Sequence, residues 1–136
     1  MIANLQRILY VEDQPDIQLV ARVALTRVGG FTLLVCSSGL EALAQAPDFA
    51  PDLLLLDVMM PGMDGPTTLQ NLRLLRGTAH TPAIFLTART DPSDVANYLA
   101  AGAIGVIAKP FDPMALAATV RSIWDQDQQQ KEAMRT

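Results

Sequence analysis

The sequence predicts an α/β fold, a doubly wound five-stranded parallel sheet in the order 2-1-3-4-5 with five helices. Three observations predict it. Short apolar runs without polar alternation recur five times, which suits strands buried on both faces. Between them, apolar residues recur at helical spacing. Four of the runs stop at a polar residue that turn or helix formers follow. A chain of 136 residues fits one domain and is far too short for an eight-fold barrel.

Arg7 to Val11 is the first apolar run and meets Glu12-Asp13. Pro15 suits the first turn of a helix carrying Ile17, Val20, Ala21, Ala24 and Val28, which Gly29-Gly30 stops. Phe31 to Cys36 is the second strand. Ser38-Gly39-Leu40-Glu41 has the form of a capping box, so a helix with Leu40, Leu43 and Ala44 starts there, and Pro47 is expected to end it. Leu53 to Leu56 is four leucines in a row, the signature of a central strand, and Asp57 follows at once. Pro66 opens a helix with Leu69, Leu72 and Leu75, closed by Gly77. Ala83 to Leu86 is a fourth strand ending in Thr87. Asp91-Pro92 opens a helix with Val95, Tyr98 and Leu99, which Gly102 stops. Ile104 to Ala108 is the fifth strand and ends in Lys109-Pro110. Asp112 caps and Pro113 starts a last helix whose apolar side is Leu116, Val120, Ile123 and Trp124. The domain is expected over 1–124, with the Gln-rich segment 125–136 a polar C-terminal extension continuing the last helix. Five rounds of strand then helix require right-handed crossovers and give the flavodoxin-like strand order.

Composition narrows the function. Ten Lys and Arg against fourteen Asp and Glu give a net charge of −4, which argues against direct nucleic-acid contact through a broad basic face. The one cysteine, Cys36, excludes an internal disulfide and reads as an inert core thiol. No apolar run approaches the ~20 residues a bilayer requires, and Met1 to Arg7 lacks a signal-peptide core. A cytoplasmic protein with no membrane insertion is expected. His80 reads as a surface loop residue without a role.

The residues leaving strands one, three, four and five are Glu12-Asp13, Asp57, Thr87 and Lys109. In a parallel sheet all of them reach one rim, the edge where open α/β sheets bind ligands. Each alone is an ordinary turn, cap or surface residue. Together they form a constellation. Three clustered carboxylates repel unless a cation sits among them, and a few hard oxygen ligands suit Mg2+ shared with a phosphate. The cluster holds no Cys or His, so zinc does not fit. A carboxylate nucleophile, a divalent metal, a lysine and a hydroxyl describe phosphoryl transfer through an aspartyl phosphate.

From about Arg7 to Trp124 the chain resembles the receiver domain of two-component response regulators, in the single-domain form similar to chemotaxis regulators. The resemblance is carried by Val11-Glu12-Asp13, by the run Leu56-Asp57-Val58-Met59-Met60-Pro61-Gly62-Met63-Asp64-Gly65, and by Thr87-Ala88 and Lys109-Pro110-Phe111. It implies that Asp57 accepts a phosphoryl group from a sensor histidine kinase or phosphotransfer protein. It implies that Asp13, Asp57 and the main-chain carbonyl of Met59 hold Mg2+, with Glu12 acting through water. Lys109 would pair with Asp57 and then the phosphoryl group, across a cis Lys109-Pro110 bond. Thr87 would move to the phosphoryl oxygen and reshape the fourth helix, fifth strand and last helix. Val95, Leu99, Val106, Thr119 and Ser122 would then form the face for a downstream protein target or a homodimer. Such a module is a phosphoacceptor regulator, not a turnover enzyme.

Two departures follow. Val106 stands where the family usually has Tyr or Phe, so a muted response of the output face is expected. Met59 and Arg89 lie two residues after Asp57 and Thr87, positions that in the family flank the route of attacking water, so the resemblance implies slow self-dephosphorylation. Two other classes fit less well. A Mg2+-dependent aspartyl-phosphate phosphatase resembles D-x-D, and its second acid would fall at Met59. A flavin-binding module needs a phosphate loop after strand one, where Glu12-Asp13 would repel the cofactor.

Overall fold

The computed structural model describes residues 4–135. Five strands, β1 (Arg7–Val11), β2 (Thr32–Cys36), β3 (Leu53–Asp57), β4 (Ala83–Thr87) and β5 (Gly105–Ala108), form one parallel sheet in the order β2-β1-β3-β4-β5. Five helices connect and follow them: α1 (Pro15–Val23), α2 (Gly39–Phe49), α3 (Gly65–Leu72), α4 (Pro92–Ala100) and α5 (Leu116–Met134). The fold class and strand order are those the sequence predicts.

The sheet divides the interior into two cores, because successive side chains on a strand point to opposite faces. Ile8, Tyr10, Leu53, Leu55, Ile84, Leu86 and Ile107 pack with Ala21, Leu25, Leu116, Val120 and Trp124, beneath α1 and α5. Leu9, Val11, Leu54, Leu56, Ala83 and Phe85 pack with Ala42, Ala46, Leu69 and Leu72, beneath α2 and α3, with Tyr98 of α4 against their edge. Every residue of β3 is buried, as its unbroken leucine run requires.

Several helix details differ from the sequence reading. Pro47 does not end α2. It lies in the last turn, where its missing N–H forfeits one bond, and Ala50 closes the helix at φ 53°. The Phe49 carbonyl accepts the Arg7 guanidinium at 2.9 and 2.7 Å, anchoring that turn to β1. Ser38 does cap α2, accepting from the Glu41 N–H, but Leu40 is 69% exposed and Ala44 is exposed, while Ala42 and Ala46 face the core. α3 stops at Leu72 rather than Gly77, which lies inside a 3-10 turn (Arg76–Thr78). Arg73 pulls the chain round there by donating to the Thr78 and Thr81 carbonyls. The first helix passes into a π-helical turn (Ala24–Val28), and its core side is Ala21, Ala24 and Leu25, with Val20 and Val28 exposed. α5 starts at Leu116, one turn later than Asp112, whose carboxylate instead accepts from the Met114 N–H. No helix of the described residues is long and apolar enough to cross a membrane.

Candidate functional site

The pleat determines what meets at the carboxyl edge of the sheet. Asp57 is in register with Leu86, and Leu86 with Ile107, so Asp57 lies on the α1–α5 face. Glu12 follows Tyr10 by two residues and Lys109 follows Ile107 by two, which carries both to that same face. There Lys109 Nζ lies 2.9 Å from Glu12 Oε1 and 3.2 Å from Asp57 Oδ2. Glu12 is fully buried and Asp57 is 3% exposed. Asp13 completes the group, since Glu12, Asp13 and Asp57 each place a carboxylate oxygen within 4.8 Å of the others.

One ammonium shared by buried carboxylates leaves negative charge unbalanced. Asp57 titrates at about 6 instead of 3.8, chiefly because it is buried, then because Glu12 hydrogen-bonds and repels it, against the pull of Lys109. Glu12 moves the other way: hydrogen bonds from Lys109 and Asp57 outweigh the cost of burial. Lys109 is raised, because its two carboxylate partners outweigh its own desolvation. An all-oxygen donor set with surplus negative charge fits a hard divalent cation such as Mg2+. Glu12, Asp13 and Asp57 are the side chains that would hold it.

The turn after Asp57 is built to stay close. A Cβ on Gly65 would stand 2.5 Å from the Asp57 carbonyl oxygen and 2.9 Å from Val58 Cα, so glycine alone lets α3 begin there. The Gly65 N–H donates to the Val58 carbonyl, and Asp64 caps α3 by accepting from the Thr67 N–H at 2.8 Å. Gly62 takes φ +77°, the left-handed turn conformation open to glycine. Lys109-Pro110 is cis.

Other side chains singled out in the sequence make none of these contacts. Thr87 reaches the same rim, but it follows Phe85 by two residues and lies on the opposite face of the sheet. Its Oγ1 accepts from the Arg89 N–H at 2.9 Å and lies 3.5 Å from the Tyr98 hydroxyl. Met59 is 65% exposed and Arg89 is exposed. Val106 is half-buried on β5, beside Phe85. Cys36 is buried, its thiol pushed up to about 12 mainly by that burial, as an inert core thiol should be.

Two residues of the site escaped the sequence reading. The Tyr10 hydroxyl, buried under the cluster, donates to Glu12 Oε1 at 3.4 Å. Burial first, then the charges of Glu12 and Asp57, hold its phenol well above the ordinary range. The signal was present: Tyr10 stands two residues before Glu12 on a strand, hence on the same face. Gln18 of α1 donates its side-chain amide to the Glu12 carbonyl, and no local pattern marks it.

A sequence profile described as the response regulator receiver domain matches residues 8–121. The chain belongs to the response regulator receiver domain family. This receiver domain is 41% identical over 117 residues to the DNA-binding response regulator MtrA of Mycolicibacterium smegmatis, covering 86% of this chain and 50% of that protein. It is 46% identical over 118 residues to the transcriptional activator protein IrlR of Burkholderia pseudomallei, covering 86% and 49%. The chain thus spans about half the length of the curated relatives it matches. Among solved structures, chemotaxis protein CheY4 of Vibrio cholerae superposes with a TM-score of 0.81 at 30% identity, covering 88% of this chain and 99% of that one. A CheY-like receiver domain protein of Methanospirillum hungatei gives 0.77 at 28% identity, covering 95% and 99%. Receiver domains are, as a family, signalling phosphoacceptor modules of two-component systems and not classical enzymes, and residues 8–121 of this chain are such a domain.

Proposed function

We propose that Asp57 is the phosphoacceptor. Its carboxylate oxygen attacks the phosphorus of a phosphohistidine on a sensor histidine kinase or phosphotransfer protein. A P–O bond forms, the P–N bond breaks, and the imidazole nitrogen keeps the electron pair. The observation that carries this is the buried Asp57 carboxylate 3.2 Å from Lys109 Nζ at the carboxyl end of the central strand, with two more carboxylates beside it. Lys109 offsets charge on the phosphoryl oxygens, and Tyr10 and Lys109 hold Glu12 in place. Mg2+, held by Asp13, Asp57 and the Met59 carbonyl with Glu12 through water, would neutralise charge on the transferring group. Thr87 would donate its hydroxyl to the phosphoryl group.

The donor would approach over an exposed apolar strip. Leu19, Val20, Val23 and Val28 line a cleft with Pro113 and Met114, and Val20 also borders a second cleft that reaches Lys109 and Phe111. Its continuity with the acceptor suits a partner that must deliver a phosphoryl group there. The output face is that of α4, β5 and α5, where Val95, Leu99, Ile104, Val106 and Ile123 line a cleft of about 500 Å³. Thr119 and Ser122 are exposed on it. It would take a downstream protein target or a second copy of the chain. The domain itself, at net −4, contacts no nucleic acid in this reading and works in the cytoplasm.

Incubation with Mg2+ and acetyl phosphate, followed by intact mass, tests the assignment. A phosphoryl adduct that Asp57→Asn abolishes is expected. An adduct that survives the substitution overturns it.

A further inference from the structure

The α4 face of the sheet carries a network that the acceptor chemistry does not use. Phe85 and Thr87 of β4 point to that face, and register sets Val106 beside Phe85 and Ala108 beside Thr87. Both β5 residues are small. An aromatic ring enters instead from the helix above: the Tyr98 ring of α4 meets Phe85 edge-on, with centroids 5.6 Å apart and planes at 69°. Its hydroxyl then stands 3.5 Å from Thr87 Oγ1. That is the long limit of a hydrogen bond, so a small movement of Thr87 breaks it.

We propose that Tyr98 is the positioning residue that couples Thr87 to α4. At rest its hydroxyl engages Thr87 on the α4 face. When Thr87 turns to a phosphoryl group on Asp57, Tyr98 loses its partner and α4 shifts. The proposal rests on the reading of Asp57 as phosphoacceptor. Tyr98 thus supplies from the helix the aromatic side chain that Val106 does not supply from the strand. Linkage fixes the sign of its effect. A contact made only in the resting state opposes phosphorylation, so removing it must favour the phosphorylated state by the same factor.

Tyr98→Phe separates the hydroxyl from the packing, since the ring against Phe85 remains. The full chain, wild type and variant, is given Mg2+ and beryllofluoride as the phosphoryl mimic, while a parallel sample with acetyl phosphate is weighed for the Asp57 adduct. Both proteins should form the adduct. The variant should bind the mimic about two- to fivefold more tightly, the worth of one modest hydrogen bond. The amide shifts that the mimic induces over α4 in an NMR titration should be smaller in the variant than in wild type. A mimic affinity that is not tightened overturns the proposal, and so do undiminished α4 shifts. A wild-type chain that forms no adduct overturns the acceptor reading and the proposal with it, and mass alone reports that outcome.

Discussion

The two faces of the sheet, compared at one rim, divide the molecule's work. On the α1–α5 face, buried Glu12 and Asp57 and half-buried Lys109 are charged and held by short contacts of 2.9 and 3.2 Å. On the α4 face, Thr87 and Tyr98 are neutral and meet at 3.5 Å. The first set stores electrostatic imbalance and suits chemistry. The second is a weak contact near its breaking distance and suits a switch. One residue of pleat separates them: Leu86 belongs with Asp57, and Thr87 belongs with Phe85. With Asp57 the proposed acceptor on one face and Thr87 with Tyr98 the proposed readout on the other, substitutions on the two faces should have separable effects.

The largest effect is expected from Lys109→Met. It leaves Glu12 and Asp57 buried without their counter-charge, and breaking a buried ion pair from one side costs about 3 kcal/mol. Urea unfolding at pH 7.5 without divalent cations should show that loss. It should shrink towards pH 5, where Asp57 takes up a proton and the uncompensated charge falls. A loss below about 1 kcal/mol would mean that solvent, not Lys109, balances the cluster.

Asp57→Asn should act in the opposite direction. The folded-state value of Asp57 is about 6, above its ordinary 3.8. A raised carboxyl supports the fold below pH 3.8, and that support is lost as pH climbs through 6. The variant's gain over wild type should therefore be near zero below pH 3.8, grow up to pH 6, and level off above it at about 2–3 kcal/mol. Saturating Mg2+ should erase the gain, because the cation stabilises only the ionised wild type. Parallel stability curves for the two proteins across pH 4 to 8 would refute the imbalance on this face.

What the sequence made legible follows the same division. Strands buried on both sides appear as continuous apolar runs, so Leu53 to Leu56 announced the central strand and its neighbours fell into order around it. Glu12, Asp57 and Lys109 were legible because parallel strands end at one edge. The helices are less so, since the first helix and its π-helical turn carry apolar residues on the solvent side as well: Val20 and Val28 are exposed, while Leu25 joins Ala21 and Ala24 in the core. Pro47 misled because a proline in a last turn forfeits little. Tyr98 was legible as a helix residue but not as a partner of Thr87. The contact spans 11 residues and depends on pleat parity and on the small side chains of β5, which only the assembled sheet brings together.

The α4 face should respond to a double-mutant cycle of Thr87→Val and Tyr98→Phe. If the two hydroxyls act through one contact, the resting-state stabilities of the single variants should not add, and the coupling should be about 0.5–1 kcal/mol. Neither variant should disturb the titration of Asp57, which lies on the other face. Additive losses would show that the hydroxyls act independently, and a shifted Asp57 titration would show that the two faces are not separate. Because Val106 carries no ring, phosphoryl-mimic shifts in the double variant should be small at β5 as well as at α4.

The smallest effect concerns the open side of the rim. Met59 and Arg89 stand two residues after Asp57 and Thr87, and both are exposed. The family resemblance implies that the residues at these two positions border the path of the water that hydrolyses an acyl phosphate on Asp57, the proposed acceptor. A mobile, exposed side chain screens that path only part of the time, so its removal should lower the barrier modestly. Met59→Ala and Arg89→Ala are each expected to shorten the phospho-Asp57 lifetime about two- to fivefold, or roughly 0.4–1 kcal/mol of barrier. Neither substitution touches the Lys109 contacts, so the extent of phosphorylation at short times should hold while the decay quickens. Decay constants equal to wild type in both variants would move control of the lifetime from the rim back to the buried charges of the α1–α5 face.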